Sequence, residues 1–154
     1  MSRFMAWVAT AVMLGVAGMP PVQASTATSP KASGIYPLVP GIFVVRGTDC
    51  GSPPNAAIKL YDGKGLGTAH TSACAAHVIS TRKTKAGTSF DVSQTCNDEG
   101  DGSGKPFTEK QTIVVRDATH FSMPGTNGGK YDYCPVDALP DDLRSVLPSA
   151  RAGT

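Results

Sequence analysis

The chain has little excess charge of either sign, few aromatic residues and, past its first segment, no long hydrophobic run. Its net charge at neutral pH is +2 over 154 residues. Removing the leader that carries Arg3 brings the remainder still closer to balance. Such a domain lacks the basic excess that dedicated nucleic-acid binding needs, so no nucleic-acid partner is expected. Aromatic residues make up 6% of the sequence, which implies a modest core. No Gly-x-Ser-x-Gly elbow, His-Glu-x-x-His pair, Walker loop or dinucleotide fingerprint occurs, and most carboxylates fall in turns, where solvated charges belong. The expectation is a protein that is not an enzyme, with no catalytic residue, cofactor or metal.

What is present begins with an export signal. Arg3 supplies a positive start, and Phe4 to Gly18 is almost wholly apolar, the length of a signal core and short of the ~20 residues of a membrane span. Pro20 and Pro21 break the helix, and Val22-Gln23-Ala24 places small residues before a cleavage site at Ser25. The predicted organisation is a signal over 1–24, a flexible polar lead-in over 25–34, a disulfide-stapled β-domain over 35–136, and a tail over 137–154 with a short helix. Cleavage leaves no membrane span and sends the chain to the periplasm or beyond.

Four cysteines, Cys50, Cys74, Cys96 and Cys134, follow the signal, and an even count in an exported chain predicts disulfides. Gly41 to Gly47, Ala57 to Tyr61, Ser72 to Arg82, Thr88 to Cys96, Thr108 to Arg116, Ala118 to Met123 and Tyr131 to Cys134 read as strands separated by turn signals. Phe90, Val92, Gln94 and Cys96 share one face of the fourth run. Folding that hairpin about Lys85 sets Cys74 opposite Cys96, Val78 opposite Val92 and Ser80 opposite Phe90. A Cys74–Cys96 bridge is therefore favoured. Cys50–Cys134 follows by elimination, joining the first and last strands, although four cysteines allow three pairings. The fold class is all-β: a small antiparallel barrel or strongly curved sheet of about seven or eight strands. Pro140 to Leu147 reads as the short helix, with Leu139, Leu143, Val146 and Leu147 on one face, capping an open barrel end or fraying.

Several constellations reduce to ordinary structure. Asn97, Glu99, Asp101 and Gly102 resemble the start of a calcium loop, but the twelfth position is Thr108 and Glu109 comes one residue late; a solvated acidic turn is expected. His70, Cys74 and His77 have metal-like spacing, yet on a strand His77 points away from Cys74. Gly63-Lys64-Gly65-Leu66-Gly67 reads as a flexible hairpin tip. His120 stands isolated, on the exposed face of its strand. Arg82, Lys83 and Lys85 remain as candidate binding residues, a basic cluster at the tip of a rigid hairpin that suits an anionic surface.

The Ile42-Phe43-Val44 strand, Cys50, Cys74, Phe90-x-Val92-x-x-x-Cys96, Glu109-x-Gln111-x-Ile113 and Tyr133-Cys134-Pro135, in that order, resemble small exported proteobacterial proteins of unassigned function. The resemblance implies a small β-barrel. More distantly the chain is similar to the periplasmic C-type lysozyme inhibitors. Their Ser-Gly-x-x-Tyr inhibitory loop corresponds best to Ala86-Gly87-Thr88-Ser89-Phe90, where both the Ser and the Tyr are absent. The functional expectation is an exported monomer that acts by binding an envelope or foreign protein, in one form as an inhibitor of a hydrolase such as lysozyme. The alternative is a carrier of a small apolar ligand inside the barrel.

Overall fold

The computed structural model describes residues 31–125 and 129–147. The expected signal, the first part of the lead-in, the tip of the Gly125–Gly129 turn and the segment from Pro148 onward lie outside the described residues. Eight strands form one antiparallel sheet: β1 Gly41–Val45, β2 Ile58–Tyr61, β3 Leu66–Gly67, β4 Thr71–Thr84, β5 Gly87–Asp98, β6 Pro106–Asp117, β7 His120–Ser122 and β8 Lys130–Tyr133. Their order is β3-β2-β1-β8-β7-β6-β5-β4, curled into a nearly closed barrel. First and last strands are neighbours, as expected, with Phe43 opposite Tyr133 and Val45 opposite Tyr131.

The two ends of the sheet meet at β3 and β4, and there a side chain does much of the joining. The Ala76 N–H donates to the Lys64 carbonyl at 2.9 Å. Gln94, only 1% exposed, accepts from the Leu66 N–H at 2.8 Å and donates back to the Leu66 carbonyl at 3.0 Å. Its amide thus pairs both polar groups of a residue whose strand is too short to build a ladder of its own. The Gly63–Gly67 segment is therefore more than the flexible tip expected from its glycines: Leu66 belongs to the buried core.

Alternation along the strands builds that core. Phe43, Tyr61, Leu66, Phe90, Val92, Ile113, Val115, Phe121 and Tyr131 point inward, and their aromatic rings pack edge to face or stacked, as for Phe43 with Phe121 and Phe121 with Tyr131. Tyr36 and Leu38, ahead of β1, are also fully buried. They lie on a strap that crosses one barrel end, from the Ile35 N–H on the Gly63 carbonyl to the Val39 N–H on the Ala118 carbonyl. The Tyr61 hydroxyl fixes the strap: it accepts the Tyr36 N–H at 2.9 Å, and its proton faces the carbonyls of Ser33 and Tyr36.

The outer face of β1 is buried too. Ile42 and Val44 pack with Ile58, Cys134 and Leu139, flanked by Leu143 and Leu147. Helix α1, Asp141–Ser145, thus covers the outside of the β1–β2 wall and does not cap an open end. Val146 is exposed, contrary to the expected apolar face, because the helix ends at Ser145. Both disulfides have the expected pairing. Cys50–Cys134 pins the outer layer to β8, and Cys74–Cys96 ties β4 to β5 with Cα atoms 4.1 Å apart.

Val78 faces Val92 as expected, but Ser80 does not face Phe90. The turn is the pair Lys85–Ala86, closed by Thr84 opposite Gly87, so Thr81 faces Phe90 and Ser80 faces Asp91. A bulge at Ile79 restores the register that brings Cys74 toward Cys96. The sixth expected strand is also shorter than read. Thr119 lies in the turn before β7, where its N–H and hydroxyl bind Asp117.

Candidate functional site

Three cations, Arg82, Lys83 and Lys85, lie around the β4–β5 turn. Gly87 makes that turn possible. Its φ is +134°, and a Cβ there would lie 2.1 Å from the Val115 carbonyl oxygen of β6. The turn therefore rests against β6, and the basic residues near it stand on a braced platform. Arg82 reaches across to Asp91 on β5 at 3.4 Å. Lys83 donates to the Thr88 hydroxyl at 2.9 Å. Neither Lys83 nor Lys85 makes an ion pair among the described residues.

Beside the turn runs a groove of about 210 Å³ on the outer wall, lined by Ala86, Arg46, Arg116, His120, Ser122 and Lys130 together with parts of Val114 and Phe121. The cations along it come from four places in the chain, and pairing of β6, β7 and β8 with β1 gathers them. Arg46 holds Asp132 through two parallel contacts of 2.8 and 3.0 Å, a fork geometry that fixes both side chains. Arg116 contacts Asp117 at 3.1 Å. Lys130 makes no ion pair among the described residues.

His120, isolated in sequence, sits on the outer face as expected, and the sheet brings it beside Asp117 and Asp132. Its Nδ1–H donates to Asp117 at 2.6 Å, and Nε2 lies 3.7 Å from Asp132. The Nε2 contact is beyond hydrogen-bond length, so Asp117 is the carboxylate that holds the ring. Burial raises the Asp117 carboxyl, but hydrogen bonds from His120, Thr119 and Arg116 outweigh it and hold the group well below the usual range. The Arg46 hydrogen bond does the same for Asp132, with desolvation opposing it. These acids are ionised and already occupied, so Lys130, Lys83 and Lys85 carry charge that no protein carboxylate answers among the described residues. Sequence reading found the hairpin cations but not Arg46, Arg116 and Lys130. They are scattered along the chain, and only strand order unites them.

A smaller polar group lies on the inward face of the wall. Lys59 stands opposite the buried Phe43 in the β1–β2 register and so shares its inward face. Desolvation lowers the Lys59 pKa, with Glu109 opposing. Glu109 and Gln111 continue the inward row of Ile113 and Val115 on β6. The acidic loop after β5 uses its oxygens locally. Asp98 accepts the Gly100 N–H, Asp101 the Ser103 N–H, and Glu99 the Ser72 hydroxyl. Among the described residues no group of three metal-binding side chains converges.

Residues 86–90, compared above with the lysozyme-inhibitor loop, lead into β5, where Ser89 and Phe90 are 4% and 9% exposed. Both are part of the barrel wall and cannot reach into an enzyme cleft. The chain matches no protein-family model, no curated protein and no solved structure.

Proposed function

We propose that this is an exported, non-enzymatic binding protein of the periplasm or cell exterior, whose basic hairpin face docks onto an acidic protein in the envelope or one that reaches it from outside. One observation carries the reading. Arg82, Lys83 and Lys85 project from a turn braced on β6, beside a groove rimmed by Arg46, Arg116 and Lys130, while the nearby carboxylates are already paired. Clustered cations of this kind steer an anionic partner and set its orientation. The two disulfides fit an oxidising compartment. Inhibition of a hydrolase is one form such binding takes, through the basic face and not through 86–90.

Affinity capture from an envelope extract tests this. Wild-type protein retains an acidic protein that raised salt releases, and Lys83→Glu/Lys85→Glu protein retains at least tenfold less. Equal retention by the two overturns the reading, and capture of an anionic polymer in place of a protein overturns the choice of partner. A lysozyme assay on the same preparations tests the inhibitory form.

The carrier alternative finds less support. Aromatic and branched side chains fill the barrel interior. Native mass spectrometry of the exported protein gives the mass of the bare chain on the binding reading, and a retained small molecule on the carrier reading.

A further inference from the structure

The sheet leaves one strand only partly paired, and that strand carries the basic cluster. β4 stands at the end of the strand order, and its neighbour β3 has two residues. Among the described residues, the backbone hydrogen bonds reaching β4 from that side are the Thr71 N–H to the Thr68 carbonyl, in the turn that starts the strand, and the Ala76 N–H to the Lys64 carbonyl. From His77 to Thr84 the strand is paired on its β5 side alone. Its other side presents a row of backbone donors and acceptors to solvent over a length of ~25 Å, at ~3.3 Å per residue.

The side chains along this edge select its occupant. β4 holds no Asp or Glu, whereas His77, Arg82 and Lys83 lie on it and Lys85 follows directly. Ile79, at the bulge, is 55% exposed and offers an apolar contact midway. A second copy of the strand brings no carboxylate to answer these cations. Bulges and lysines on an edge are, moreover, the devices that discourage pairing of like edges. An extended segment alternating acidic and apolar residues meets both the unpaired backbone and the charge.

We propose that β4 receives an extended acidic polypeptide segment as an added antiparallel strand over His77–Thr84, a mode of recognition in which the backbone ladder gives affinity and side chains give selectivity. This rests on the binding function proposed above and specifies the form its partner takes.

The test uses the full exported, oxidised chain and three synthetic octapeptides: one alternating Glu with Val, one alternating Glu with Pro, and one alternating Lys with Val. The Glu/Pro peptide has the same charge but lacks half the N–H groups a strand needs. The Glu/Val peptide is expected to bind at least tenfold tighter than Glu/Pro and to slow amide hydrogen exchange across 77–84 while leaving β6 unchanged. Lys/Val is expected not to bind, and Lys83→Glu/Lys85→Glu is expected to weaken both acidic peptides. Equal binding of the two acidic peptides without protection of β4 overturns strand addition and leaves the charge-based reading standing. Binding of neither acidic peptide overturns both. Binding of Lys/Val as tightly as Glu/Val overturns the selection by charge.

Discussion

Gln94 does for β3 what a run of backbone hydrogen bonds does between longer strands, and the consequence is measurable. Gln94→Leu keeps the volume but leaves the Leu66 N–H and carbonyl buried without partners, at about 1–3 kcal/mol for each group. Urea unfolding should show a loss of about 2–4 kcal/mol; a loss under about 0.5 kcal/mol would mean that β3 is held by something else. The residue was visible in sequence as a polar member of an apolar face, beside Phe90, Val92 and Cys96. Its partner was not, since a glycine-flanked Leu66 gives no strand signal in so short a segment. The Asp117 and Asp132 pairs make a second prediction at this scale. Their native pKa values lie below the ordinary 3.8, so their contribution is full above that value and is lost as pH falls through the depressed native values. Asp117→Asn should melt below wild type at pH 7 and converge with it in acid. Because the Asp117 side chain is 46% exposed, solvent screening keeps the effect to about 1 kcal/mol or less. A constant gap from neutral pH down into strong acid would contradict the assignment.

At the scale of elements, the β4–β5 hairpin governs both the disulfide register and the exposed sheet edge, and its irregularity has a purpose. The extra residue at Ile79 converts the register set by the Lys85–Ala86 turn into the one that joins Cys74 to Cys96. Deleting Ile79 should give one continuous register from the turn to Ala75 with the disulfide still formed, while removing the twist that guards this part of the edge. Sedimentation should then show self-association at concentrations where wild type stays monomeric; an unchanged sedimentation profile would mean that the bulge does not protect the edge. Alternation of Phe90, Val92, Gln94 and Cys96 was enough to place both cysteines, because strand period fixes which face each occupies. It was not enough to place the turn, since a bulge adds one residue and leaves no mark in composition. The short helix shows the same limit. Its start at Pro140 and the acids after it were legible, but the surface it covers depends on β1 being buried on both faces. That burial was foreshadowed only by the unbroken apolar run Ile42-Phe43-Val44-Val45.

The whole molecule is a small barrel held at two points outside its core. Cys50–Cys134 closes 84 residues of chain and Cys74–Cys96 closes 22, which by loop entropy corresponds to about 4.6 and about 3.4 kcal/mol. Replacing Cys50 and Cys134 together by Ala should therefore cost more than replacing the other pair and should loosen the outer layer of Leu139 and Leu143 first. Hydrogen exchange at Ala138 and Leu139 that matches wild type would contradict that. Cysteine parity and strand spacing made this architecture readable from the chain alone. The basic groove was not readable, because Arg46, Arg116 and Lys130 meet only after β1, β6 and β8 are set around the wall. We propose this outer basic face, and not the packed interior or the Lys59 group, as the working surface. Amide chemical-shift mapping during titration with polyglutamate tests it most directly. Shifts should concentrate at Arg46, Arg82 to Gly87, Arg116 and Lys130 and vanish in high salt; shifts concentrated at Lys59, Glu109 and Gln111 would overturn the proposal.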